Sequence, residues 1–125
     1  MLDIVLQRIT SSESAQNLLR HIAEKKTIMV DGYLGSMDAV LGILAAQSAY
    51  VNDRLSVIVV PDSLTYGRVL DDLTTLQDYT THKIPILQFP EDELLPYDDR
   101  EANPAFVAAR QESIEQLLNN EKAVR

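Results

Sequence analysis

The stretch Val30-Asp31-Gly32-Tyr33-Leu34-Gly35-Ser36-Met37-Asp38-Ala39 follows a short apolar run and precedes a helical pattern. That is where α/β proteins hold phosphate. A working phosphate loop needs Gly, four further residues, then Gly-Lys-Ser/Thr, and counted from Gly32 the last three positions hold Met37, Asp38 and Ala39. Met37 puts a Cβ where backbone must approach phosphate, and Ala39 has no hydroxyl for magnesium. Asp38 sets a negative charge where the phosphate-binding ammonium should stand, which is worse than no charge. Gly32, Gly35, Ser36, Met37, Asp38 and Ala39 therefore read as a degenerate phosphate loop kept for packing, with no cofactor of its own.

Asp31 and Asp62 each follow an apolar run, at the edge where open parallel sheets place ligands. Two carboxylates there raise a phospho-accepting receiver domain, in which clustered acids hold magnesium and one takes the phosphoryl group. The receiver pattern also needs an acidic pair after the first strand and a Lys at a later strand end. Here a single acid precedes Gly32, and Lys83 comes before its strand. Helix capping and turn formation are the commoner work of Asp at such points. His21 and His82 have no acidic or Ser partner at a recognisable spacing, and His21 suits a helix end. The acids Glu91, Asp92, Glu93, Asp98, Asp99 and Glu101 lack the Gly-punctuated spacing of a calcium loop and read as a solvated segment. No metal site is expected. Arg110 shares a helix face with Phe106, Ile114 and Leu117. A guanidinium in an apolar stripe must reach water or a carboxylate. The expectation is a structural clamp in which Arg110 fixes the preceding loop through Tyr97 and Asp98.

The elements that must position these residues follow from hydrophobic period. Thr10-Ser11-Ser12-Glu13 has capping-box spacing, and Ala15, Leu18, Leu19 and Ile22 recur with the period of a helix. Thr27-Ile28-Met29-Val30 predicts a buried strand. Met37, Val40, Leu41, Leu44, Ala45 and Ser48 mark one side of the next helix. Leu55-Ser56-Val57-Ile58-Val59-Val60, β-branched almost throughout, predicts a second central strand. Pro61-Asp62-Ser63 caps a helix carrying Leu64, Val69, Leu70, Leu73 and Leu76, slightly weakened by Gly67. Ile84-Pro85-Ile86-Leu87-Gln88-Phe89 predicts a third strand, peripheral because Pro85 lacks a ladder donor. After an acidic loop over residues 90–103, Asn103 and Pro104 open a last helix with Phe106, Val107, Ile114, Leu117 and Leu118, ended by Asn119-Asn120. Lys122-Ala123-Val124-Arg125 starts a further strand, so the sheet is expected to continue beyond residue 125. Strands alternating with amphipathic helices predict one α/β domain over residues 1–125, a three-layer α/β/α sandwich with a mainly parallel sheet. It would be the N-terminal fragment of a longer multidomain protein.

Composition bounds the partners. The 125 residues carry 11 Lys and Arg against 19 Asp and Glu, a net charge of −8, which opposes attraction to nucleic-acid backbones and anionic lipid. There is no Cys, so disulfides, thiolate metal sites and a cysteine nucleophile are excluded together. No apolar run is long enough to span a bilayer, and the first residues do not form a basic, apolar leader. A cytoplasmic location is the expectation.

Asp31-Gly32-Tyr33-Leu34-Gly35-Ser36, then Val57-Ile58-Val59-Val60-Pro61-Asp62 with Leu70-Asp71-Asp72-Leu73, then Phe89-Pro90 and Leu94-Leu95-Pro96-Tyr97-Asp98 form an ordered series. From about Thr27 onward it resembles the N-terminal, UvrB-homology module of bacterial transcription-repair coupling factors. The Leu-Pro-Tyr-Asp run before an Arg-bearing helix is its most specific part, with Asn103-Pro104 standing where the family usually has Ser-Pro. The resemblance implies a P-loop NTPase-like fold with a non-functional phosphate loop. It also implies a parent that uses ATP and Mg in other domains to translocate on double-stranded DNA, displace stalled RNA polymerase and recruit UvrA for nucleotide excision repair. This fragment would be noncatalytic and bind little nucleic acid, meeting chiefly the other domains of its parent, with the UvrA surface mainly in a following insert. A fragment of the excision-repair helicase subunit UvrB is the alternative. It would carry an intact Gly-Lys-Thr loop and a Tyr-rich hairpin near Tyr97, and neither is present.

Overall fold

A computed structural model describes residues 2–32, 34–80, 82–91, 97 and 100–123. These residues form five helices: α1 (Leu2–Ser11), α2 (Glu13–Ala23), α3 (Met37–Val51), α4 (Ser63–Gln77) and α5 (Pro104–Ala123). They divide into two units, Met1–Ile84 and Pro85–Arg125.

In the first unit, α3 packs on α4 and on α2, and α2 packs on α1. The core they enclose is Leu6, Ala15, Ala39, Val40, Ile43, Leu44, Val69, Leu73 and Leu76. Val69, Leu73 and Leu76 recur at i, i+4 and i+7, the spacing that puts three side chains on one face of α4. Helix starts are set by side-chain oxygens. Ser12 accepts from the Ala15 N–H at 3.2 Å, and Asp62 accepts from the Thr65 N–H at 2.7 Å. Helix ends are set by backbone reversal. The Lys26 N–H returns to the His21 carbonyl and the Arg54 N–H to the Ala49 carbonyl, with Lys25 at φ 59° and Asp53 at φ 52° making the left-handed step. Helix α1 lies outside the sequence expectation, although Leu2, Val5, Leu6 and Ile9 have helical spacing.

The expected three-layer α/β sandwich, with a mainly parallel sheet and a P-loop NTPase-like topology, is not found: the described residues contain no strand. The three apolar runs are extended, but they are not laddered. Among the described residues, no backbone N–H or C=O of residues 55–60 pairs with another backbone group. A central strand would also be covered on both faces, whereas Met29 is 92%, Val57 73% and Val59 88% exposed. β-Branched composition favours extended backbone, but the partner that completes a ladder is remote in sequence and composition does not supply it. Side chains anchor the third run at its start instead. Gln47 donates to the His82 carbonyl at 2.7 Å and accepts from the His82 N–H at 3.3 Å, and Gln77 donates to the Ile84 carbonyl.

In the second unit, Asn103 accepts from the Ala105 N–H at 3.0 Å and its carbonyl accepts from the Val107 N–H, so α5 opens at Pro104 as the sequence predicts. It does not stop at Asn119-Asn120. The helix runs to Ala123, which also removes the strand expected from Lys122, while Val124 and Arg125 lie outside the described residues. Asn costs a helix only a fraction of a kcal/mol relative to Ala, about 0.7 at most. That is too little to end one unaided.

Candidate functional site

A cleft of the first unit, about 440 Å³, lies where the start of α3, the extended run before α4 and the first turns of α4 meet. Gly35, Asp38, Val60, Thr65 and Arg68 are among its walls. Gly32 at φ 75° and Gly35 at φ 59° supply the left-handed steps that turn the chain into α3, and Ser36 precedes the helix without a side-chain cap. Asp38 takes over part of that duty, accepting from its own neighbour's N–H at Ala39, 2.7 Å away.

Asp38 is also the acceptor of a two-pronged bond from Arg68 of α4, with Nη2 to Oδ2 at 2.5 Å and Nη1 to Oδ1 at 3.1 Å. Arg68 reaches Asp72 one turn further on at 3.4 Å. The guanidinium hydrogen bonds, with a smaller contribution from the Ala39 N–H, hold the Asp38 carboxyl below its ordinary range against the opposing effect of desolvation. Asp62 is likewise held low, by the Thr65 N–H and hydroxyl. Among the described residues that line this cleft, the guanidinium of Arg68 already has two carboxylates, and the start of α3 presents an acid. An incoming phosphate would meet repulsion and would have to displace Asp38 from Arg68.

The residues singled out by sequence are dispersed. Gly32, Gly35, Ser36, Met37, Asp38 and Ala39 do form one turn and helix start. Asp31 is exposed and accepts from the Gly32 N–H, whereas Asp62 caps α4. Among the described residues no group of three or more His, Asp or Glu side chains is placed to hold a metal ion. His82 stacks at 5.1 Å on Tyr50, in a tilted arrangement. His21 sits in the last turn of α2. Of the expected clamp, Arg110 donates to the Pro90 carbonyl at 3.4 Å, Tyr97 is 95% exposed, and Asp98 lies outside the described residues. Asp92, Glu93 and Asp99 of the acidic loop also lie outside them.

Two features escaped the sequence reading. Arg68 carries little sequence signal because its partner Asp38 is thirty positions away, although Arg68 and Asp72 stand at the i, i+4 spacing of a helical ion pair. Ser113 of α5, 5% exposed, is a buried polar residue, and its hydroxyl donates to the Gln88 carbonyl at 2.5 Å. It follows Arg110 by three residues, so both reach the 85–91 segment from one helix face.

No family model, curated protein or solved structure matches the chain. No helix among the described residues is long and apolar enough to cross a membrane.

Proposed function

We propose that the chain is a noncatalytic interaction module of a cytoplasmic transcription-repair coupling factor, whose ATP-driven DNA translocation resides elsewhere in the parent protein. The observation that carries the noncatalytic part is Asp38: a carboxylate stands at the start of α3 and is held there by Arg68. A nucleotide site at a helix start needs free N–H groups and a cation, and this one offers an acid and a cation already engaged. The family part rests on the ordered residue series ending in Leu94-Leu95-Pro96-Tyr97-Asp98, and not on a sheet. Net charge of −8 supports protein partners over duplex DNA.

The test is repair in cells. Removing the gene that encodes this chain should abolish the faster removal of ultraviolet lesions from the transcribed strand while leaving repair of the other strand intact. Unchanged strand bias would refute the coupling role. For the chain itself, thermal melts with ATP and magnesium should show no shift. A bound ligand at a hundred times its dissociation constant would add about 2.7 kcal/mol.

A further inference from the structure

The segment over residues 55–60 alternates in exposure. Leu55, Val57 and Val59 are 65%, 73% and 88% exposed, whereas Ile58 is 44% exposed and Ser56 and Val60 are half-buried. Ile58 lies against α3, its Cδ1 so close that a Cβ at Gly42 would stand only 2.9 Å away. One face of an extended, β-branched run is thus seated on helices, the other is bare, and its backbone has no ladder among the described residues. Such a run is a template for a further strand.

We infer that the strand it takes is the same segment of a second copy, paired antiparallel about a two-fold axis at Ile58. Charge selects this register. Arg54 and Asp62, both exposed, flank the run, Asp62 just past the bend at Pro61 with its carboxylate also capping α4, and pairing about Ile58 brings Arg54 of each copy toward Asp62 of the other. Parallel pairing would instead juxtapose Arg54 with Arg54 and Asp62 with Asp62. An antiparallel pairing centred between Val57 and Ile58 would oppose Asp53 to Asp62 and would also turn the two helical layers to opposite faces. About Ile58, Val57 faces Val59 of the second copy on the bare side, so the exposed valines form one continuous surface. A ladder this short falls below a standard interface of about 1,600 Å², so the dimer is weak and concentration-dependent. The inference is independent of the coupling-factor role.

Sedimentation velocity on the 125-residue chain should show a monomer–dimer equilibrium, weakened severalfold by Val57→Lys and, with the α4 cap retained, by Asp62→Asn. Because the chain has no Cys, register can be read by cross-linking. Val57→Cys mixed with Val59→Cys should form disulfide-linked pairs under mild oxidation, and either variant alone should not, since the diagonal separation exceeds disulfide reach. A monomer at every concentration, a dimer indifferent to Val57→Lys, or equally fast cross-linking of Val57→Cys alone would each overturn the inference.

Discussion

Asp38 shows how one side chain can both begin a helix and join it to another. Its carboxyl is held low in the folded chain by the Arg68 guanidinium, so folding favours the ionised form. That stabilisation is fully present above the ordinary value of 3.8 and is lost as pH falls through the lower folded-state value. Asp62 acts in the same direction through its cap on Thr65. Urea midpoints should therefore drop between pH 5 and pH 2 by more in the wild type than in Asp38→Asn, and parallel curves would show that the pair contributes nothing. At Ser113, substitution removes a hydrogen bond whose acceptor belongs to the exposed Gln88 and can turn to water, so Ser113→Ala should cost about 0.5–1.5 kcal/mol by urea denaturation. Ser113→Thr, which keeps the hydroxyl, should cost less.

At the scale of elements, two backbone positions await a better residue. Lys25 makes a left-handed step at the end of α2 that Gly makes without strain, and Lys25→Gly should raise stability by roughly 1 kcal/mol. Gly67 lies inside α4 with nothing within 4 Å of a would-be Cβ, so Gly67→Ala should add roughly 0.5–1 kcal/mol. A lower thermal midpoint in either variant would contradict the backbone geometry described. The helices α2, α3, α4 and the start of α5 were legible because their signals are local. A cap bonds an N–H three residues away, and an apolar stripe repeats within the element that carries it. Helix α1 had the stripe, in Leu2, Val5, Leu6 and Ile9, but no cap to announce it. The extended runs were legible as extended backbone and misread as sheet, because a ladder depends on a partner that neither Val57 nor Val59 encodes. The link from Asp38 to Arg68 was illegible for the same reason: it is made by the packing of α3 on α4.

For the whole molecule, charge is the governing quantity. An excess of eight negative charges, with Arg68 already engaged by two acids, leaves little to attract a polyanion. The chain should pass through a duplex-DNA column at moderate ionic strength without retention, and retention that weakens steeply with salt would reverse this expectation. The amide of Gln47 shows a different economy. It offers one donor and one acceptor to the two main-chain polar groups of a single residue, His82, as a neighbouring antiparallel strand would. Contact of this kind addresses main chain and ignores what hangs from it. As far as Gln47 is concerned, position 82 accepts any amino acid that keeps an amide hydrogen, and only the ring contact with Tyr50 favours an aromatic there, while position 47 is bound to an amide side chain of that length. A saturation library over the two sites should return a spectrum weighted toward aromatic residues at one and almost a single letter at the other.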